Sequence, residues 1–353
     1  MRKLNVGILY GGQSTEHEVS MRSAESVLNA LDKDKYNIKL VHISKAGEWL
    51  LNPQSETVER LDGTDGAKSL SIVPANQMSS ENGPENFDVM LPILHGTAGE
   101  DGSVQGLLEL ANIPYIGCGV RSSAVCMDKD MTKRLLKLEG IGVADWTVFH
   151  YGEKDAVDYQ PVKEKLGLPM FIKPVNQGSS VGVSKVDDER TFYDALGLAF
   201  EFDMKVMAES AVDGREIEVS VLGNADPVAS LPGEIVANTD FYSYESKYIN
   251  ESGAALEIPA TLDKETSDRL RKTALDAFKI LDCEGMARID MFLDKNGQVV
   301  VNEINTLPGF TNISMYPKLL EISGIEYPHL LDQLIELALE RYNLKSHLKT
   351  DIM

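Results

Sequence analysis

Arg288-Ile-Asp-Met-Phe-Leu-Asp-Lys-Asn-Gly-Gln-Val-Val-Val-Asn-Glu-Ile-Asn305 reads as two apolar, alternating runs on either side of Asn296-Gly297. Asn-Gly between such runs is the strongest short-range hairpin signal. With those two residues at the turn, counting outwards sets Asp290 opposite Glu303 and Arg288 opposite Asn305. Side chains alternate along a strand, so all four share one face. A four-residue turn would slide the pairing and keep that face. Directly opposed like charges destabilise a sheet. A hard cation gives two acids and an amide a reason to converge, because Mg²⁺ takes oxygen ligands, usually one or two carboxylates completed by substrate phosphates. The competing reading is a solvated polar face on an ordinary hairpin.

The chain around this hairpin has 353 residues, more than one average domain, so two or three domains are expected. Its 43% hydrophobic and 25% charged residues are an ordinary globular balance with a large core. A net charge of −21 argues against a general nucleic-acid or anionic-membrane surface, while leaving room for a local phosphate pocket. Cys118, Cys126 and Cys283 are odd in number and lack CxxC spacing, so they read as reduced, mostly buried residues of a cytoplasmic protein. Val6 to Tyr10 is too short for a signal peptide, and no apolar stretch has the length of a membrane span.

From the N-terminus, Leu4 to Tyr10 reads as a strand broken by Gly11-Gly12. Thr15 and Glu18 have capping-box spacing ahead of a helix carrying Met21, Ala24, Leu28 and Leu31. With a second strand at Ile38 to Ser44 this is a βαβ unit and a parallel sheet. The Gly-Gly turn lacks G-x-G-x-x-G, so a dinucleotide site is poorly supported. Glu16 and Glu18 there suit an amine, or simply complement the helix dipole. Residues 52–86 look like a weakly structured insertion. Phe87 to Leu94 is a strand ending in His95-Gly-Thr-Ala-Gly-Glu-Asp-Gly102, a glycine-rich loop at a strand's carboxyl end, where open α/β sheets place ligands. Ile113 to Gly117 reads as a last short strand before a domain boundary.

One helix is expected from Ala124 through Lys129 and Lys133 to Leu138. The strand Pro169 to Pro174 carries Lys173, followed by Asn176-Gln-Gly-Ser-Ser-Val-Gly182 and a second strand. Such a loop can close over phosphates with its backbone N–H groups, or be a plain hairpin. Phe241-Tyr-Ser-Tyr-Glu-Ser-Lys-Tyr248 lies in a polar, aromatic loop whose length suggests function. Leu262 to Leu281 and Pro328 to Tyr342 read as amphipathic helices.

Gly11-Gly-Gln-Ser-Thr-Glu-His-Glu-Val-Ser20, the 95–102 loop, Met127-Asp-Lys129, Lys173 with Gly178-Ser-Ser-Val-Gly182, Tyr242-Ser-Tyr-Glu-Ser-Lys-Tyr248 and Asn302-Glu-Ile-Asn-Thr-Leu-Pro-Gly309 occur in this order. Together they resemble the D-alanine–D-alanine ligase family, ATP-grasp enzymes of peptidoglycan synthesis, over nearly the whole chain. The resemblance implies an α/β fold of three domains. An N-terminal parallel α/β domain (1–117) would bind substrate, and two ATP-grasp domains with antiparallel sheets (118–213 and 214–353) would hold ATP between them.

The same resemblance implies the site. Lys129 and Lys173 would contact the ATP phosphates, covered by Ser179 and Ser180. Glu209, Ala211 and Val212 would border the adenine and Glu216 the ribose, with Tyr242 and Asn302 also on the nucleotide. Tryptophan is common among relatives where Ala211 stands. Lys247 would reach the transferred phosphate. Asp290, Glu303 and Asn305 would hold two Mg²⁺ or Mn²⁺ ions. Glu16 and His95 would hold the first D-alanine, Ser314 and Met315 would border the second, and Arg288 and the Gly309 N–H would meet the oxyanion. Tyr248, Ser179 and Glu16 would hydrogen-bond on loop closure. A cytoplasmic homodimer acting on D-alanine and ATP is implied, with no nucleic acid and no membrane. Relatives that accept D-lactate or D-serine are the alternative. A nucleotide-binding regulator without chemistry is disfavoured by the intact Arg288, Asp290, Glu303 and Asn305.

Overall fold

The computed structural model describes residues 2–52, 56–61, 67–75, 77–237, 254–311 and 313–349. Its first sheet grows from β1 (Leu4–Gly11), whose residues from Val6 onward are buried. β1 lies between β2 (Tyr36–Ile43) and β8 (Val89–Ile93), parallel to both. Near-continuous apolar runs of this kind belong to parallel strands covered on both faces. β3 (Trp49–Leu51) and β4 (Lys68–Ser69) extend the edge in antiparallel fashion. α1 (His17–Ala30) covers one face and α2 (Ser103–Leu110) the other.

Three local expectations change here. The Thr15–Glu18 capping box does not form: Glu16 is the N-cap and makes no side-chain cap bond. Part of the 52–86 insertion is ordered as a small sheet, β5 (Ser71–Ile72), β6 (Met78–Ser80) and β7 (Gly83–Glu85). The expected strand at 113–117 reduces to a single bridge between Met90 and Tyr115.

The expected helix at 124–138 is two helices, α3 (Val120–Met127) and α4 (Lys129–Leu138). Asp128 breaks them, because its carboxylate accepts from the Met131 N–H at 2.9 Å as the N-cap of α4. This break sets Lys129 at the first position of a helix. The second sheet follows, with β9 (Trp146–His150), β10 (Met170–Pro174), β11 (Ser184–Val186) and β12 (Lys205–Ser210) in the antiparallel order β11-β10-β12-β9. α5 (Tyr159–Leu166) and α6 (Glu189–Ala199) bury Phe192, Leu196 and Leu166 against it.

The third sheet is built on β13 (Gly214–Gly223), with β14 (Val228–Ala229), β15 (Gly233–Ala237), β16 (Ala254–Glu257), β17 (Gly285–Asp294) and β18 (Val299–Asn305), all antiparallel. Ile217, Val219, Ile289, Met291 and Val301 form its apolar face under α7 (Lys264–Ile280), with Leu136 of α4 in the same cluster. α8 (Met315–Ile322) is a helix the periodicity did not reveal. α9 (Tyr327–Ser346) packs Leu331, Ile335 and Ala338 into the cluster that also holds Val6 and Leu28. Its Arg341 donates to the Tyr115 carbonyl at 2.7 Å, tying the chain's end to its first sheet.

The hairpin keeps the expected register by an unexpected route. Arg288 pairs with Asn305 and Asp290 with Glu303, but Met291 pairs with Val301. The loop spans three residues, 295–297. Asp294 Oδ1 accepts the N–H groups of Asn296 (2.8 Å) and Gln298 (2.7 Å), and Gly297 takes φ +76°. A three-residue loop alone would slip the pairing by one and flip one strand's face. The extra residue Asn302 bulges out of β18 and restores it.

Candidate active site

Alternation on three neighbouring strands builds one acidic sheet face. Glu218 pairs with Asp290 and Ser220 with Arg288 across β13 and β17, while Glu303 and Asn305 follow on β18. Glu216, one alternation further along β13, is half-buried. The face is organised by Arg288. Its Nε and Nη2 donate to Asp290 Oδ1 and Oδ2, both at 2.7 Å, and Nε lies 3.1 Å from Glu218 Oε2. Burial opposes its charge, but Asp290, Glu218 and Glu303 hold the guanidinium pKa well above its ordinary value. Asn305 Nδ2 donates to Asp290 Oδ2 at 2.9 Å.

The donors Asp290, Glu303 and Asn305 are oxygen-bearing, which suits Mg²⁺ or Mn²⁺. Among the described residues, no three His, Cys, Asp or Glu side chains form a group that could hold a metal by themselves. Mg²⁺ at phosphate sites completes its ligand set with oxygens of the bound phosphates and water.

Facing these acids is the cationic side. Lys129 Nζ lies 3.4 Å from Glu303 Oε2 and donates to the Gln177 carbonyl at 2.7 Å. Lys173, on β10, donates to Glu209 Oε2 at 2.7 Å. Glu209 is buried on β12; burial would raise its carboxyl, but Lys173 and Lys133 outweigh that and bring it down to about 2. Ala211 and Val212, just beyond β12, are half-buried, as is Asn302. Ser179 and Ser180 both take positive φ, +51° and +60°. Such backbone is strained for serine, and strain of this kind concentrates at functional loops.

The Ser179 hydroxyl donates to Glu16 Oε1, joining the Gly/Ser loop to the turn after β1. Nearby, His95 is buried, with Nδ1 3.1 Å from the Leu307 carbonyl and Nε2 3.3 Å from Ser23 Oγ. A carbonyl can only accept, so Nδ1 carries the proton and Nε2 accepts from Ser23 in the neutral ring. Burial lowers the His95 pKa despite the charge of Glu16. Glu100 accepts the Gly96 N–H at 3.0 Å, and burial together with Glu16 pushes its pKa up to about 8. Gly96 itself has φ +76°, and a Cβ there would meet Glu16 Oε2 at 2.9 Å. Gly96→Ala is therefore expected to displace Glu16 and, if Glu16 holds a substrate's ammonium as the resemblance implies, to raise the apparent KM for D-alanine roughly tenfold or more, the scale of one charge-assisted hydrogen bond. ADP release against D-alanine concentration measures this, and an unchanged KM would remove Glu16 from the substrate's ammonium.

Gly309 lies beside Ser314, where a Cβ would come within 2.8 Å of Oγ. Ser314 Oγ is held by Thr311, with the N–H at 3.0 Å and Oγ1 at 2.7 Å. It stands at the N-cap of α8 without capping that helix, and Met315 is buried behind it. Tyr242, Lys247 and Tyr248 lie outside the described residues. Sequence reasoning passed over Lys133, Glu218 and Glu100. The signals were there: Lys133 is one helical turn from Lys129, Glu218 alternates with Glu216, and Glu100 sits inside the 95–102 loop.

A Gly/Ser loop with Lys173 on one antiparallel sheet and Lys129 on the helix beside it, an acidic face on another sheet, and a parallel α/β unit at the site define a three-domain ATP-grasp ligase. Family profiles described as "D-ala D-ala ligase N-terminus" and "D-ala D-ala ligase C-terminus" match residues 5–118 and 135–336. The D-alanine--D-alanine ligase of Oceanobacillus iheyensis is 50% identical over 363 residues, covering 99% of this chain and 98% of that protein. The chain belongs to the D-alanine–D-alanine ligase family. Among solved structures, the VanG D-Ala:D-Ser ligase from Enterococcus faecalis has a TM-score of 0.87 at 34% identity, over 96% of this chain and 100% of that one. The Bacillus anthracis D-alanine--D-alanine ligase complexed with ATP has a TM-score of 0.75 at 31% identity, over 97% of this chain and 99% of that one. Among the described residues no helix is long and apolar enough to cross a membrane.

Proposed function

We propose that this chain joins two D-alanines into D-alanyl-D-alanine at the expense of ATP, through a D-alanyl phosphate. The observation that carries this reading is the meeting of three elements: the acidic, arginine-centred sheet face, Lys129 against Glu303, and Glu16 held by Ser179. A carboxylate resists attack by an amine because it is anionic and lacks a leaving group. Phosphorylation by ATP removes both obstacles, and its catalysis is mainly positioning and neutralisation of charge. Lys129 and Lys173 supply cations to the phosphates, while Asp290, Glu303 and Asn305 would hold Mg²⁺ or Mn²⁺. Bound there, two such ions would neutralise phosphate charge.

The first D-alanine lies with its ammonium on Glu16, beside His95. The free amine of the second D-alanine attacks the acyl carbon, the bond to phosphate oxygen breaks so that inorganic phosphate leaves, and the surplus proton on the new amide nitrogen passes to that phosphate. Arg288 and the Gly309 N–H stabilise the tetrahedral oxyanion. Ser314 and Met315 border the second substrate. Lys247 would act on the transferred phosphate and Tyr248 in keeping water from the acyl phosphate. Units 1–117, 118–213 and 214–353 divide these tasks in a homodimer. All three cysteines are buried free thiols, which supports a reducing, cytoplasmic setting.

Similarity to a D-Ala:D-Ser ligase keeps a second product in view, but the 50% identical relative bears the D-alanine name. ADP release with D-alanine alone, and with D-lactate or D-serine added, followed by product identification, tests the reading. D-alanyl-D-alanine as the main product is expected. ATP turnover that needs D-serine or D-lactate, or none with any of the three, would overturn it.

A further inference from the structure

Lys133 is as buried as a lysine can be, with 1% of its side chain exposed. It projects from α4 one turn after Lys129, on the same face. A lysine in such a place needs a counter-ion. Glu209 is that counter-ion: Lys133 Nζ pairs with Oε1 while Lys173 Nζ takes Oε2 at 2.7 Å. The indole of Trp146 lies under Lys133, 5.8 Å from Nζ to the ring centroid. Two buried lysines thus share one carboxylate, and the group carries one surplus positive charge.

We propose that Lys133 is a positioning residue: it remains as the fixed counter-ion of Glu209, so that Lys173 can leave this carboxylate for the nucleotide phosphates. The reason is electrostatic. With a single lysine, moving Lys173 onto a phosphate would strand an unpaired, buried carboxylate, and removing one partner of a buried pair is strongly unfavourable. With two lysines, Glu209 keeps one ion pair throughout. The surplus charge is then what an incoming phosphate neutralises. Lys133, together with Lys173, holds the Glu209 carboxyl low against its burial. Lys133 touches no substrate in this scheme and acts only through Glu209 and Lys173.

This inference rests on ATP being the nucleotide, and saturation of the wild-type protein by ATP tests that premise separately. The inference itself is tested by a double-mutant cycle on Lys133→Met and Glu209→Gln, reading KM for ATP, KM for D-alanine and kcat. Methionine keeps an unbranched apolar side chain of similar length and removes the charge. Lys133→Met alone should raise KM for ATP roughly tenfold or more, the scale of one charge-assisted contact, and leave KM for D-alanine unchanged. In the Glu209→Gln background, where Lys173 has no carboxylate to leave, Lys133→Met should have almost no further effect. Equal effects in both backgrounds, or parallel losses in both KM values, would mean a structural role and overturn the inference. If Lys133→Met does not fold, Lys133→Arg decides. It keeps the charge, so KM for ATP should stay within about tenfold of the wild type with KM for D-alanine unchanged, and a larger rise overturns the inference.

Discussion

Asp290→Asn is expected to lower ligase turnover by about a thousandfold or more, since each lost pole of phosphate neutralisation is worth several kcal/mol in the transition state. The substitution is nearly isosteric and keeps an oxygen facing Arg288 and Asn305, which hold Asp290 at 2.7 and 2.9 Å. It removes the charge by which this face would draw a cation to the phosphates. Glu303→Gln should behave alike, since Glu303 pairs directly across the hairpin and also meets Lys129. The measurement is ADP release over a Mg²⁺ titration, with thermal unfolding as a control for the fold. Near wild-type turnover of either variant at limiting Mg²⁺ would remove that residue from the metal face.

Arg288→Lys is the second large effect, an expected loss of roughly a hundredfold to a thousandfold in kcat, the range for one oxyanion donor. The guanidinium binds both oxygens of Asp290 and lies 3.1 Å from Glu218, so its plane is fixed by two acids at once. An ammonium conserves the charge but cannot reproduce that fork. KM for ATP should change little, because with Arg288 as the oxyanion donor the loss would fall on the acyl-transfer step. Steady-state kinetics in both substrates checks this. An unchanged kcat would move the oxyanion contact elsewhere, and a loss confined to KM for ATP would make Arg288 a nucleotide residue.

Much of this site was legible because it rests on local rules. Period-two alternation with Asn296-Gly297 at the turn put Arg288, Asp290, Glu303 and Asn305 on one face, and the structure keeps that face because the Asn302 bulge offsets its three-residue loop. The ordered motifs brought in Glu16, Lys129, Lys173 and Ser179, and the structure joins Ser179 to Glu16 directly. Where the reading failed, a short polar side chain usually chose a local bond over the longer pattern. Asp128 caps α4 and splits an otherwise periodic helix. Asp294 takes two turn N–H groups and makes the loop three residues long. The Thr15–Glu18 spacing suggested a capping box, but α1 begins later, with Glu16 at its N-cap and its carboxylate turned to Ser179.

The sequence by itself determined the parallel first sheet, the antiparallel hairpin, the acidic face and the family. Each follows from periodicity, turn chemistry or motif order, which act between near neighbours or survive as a pattern. Only the tertiary structure decided that Asn302 bulges to restore the register, that Lys133 and Lys173 share Glu209, and that Glu218 braces Arg288. Ser179 and Glu16 meet across 163 residues of chain. Contacts of that kind depend on how separately formed sheets and helices pack, and on which buried charges must then find partners. No local propensity encodes either.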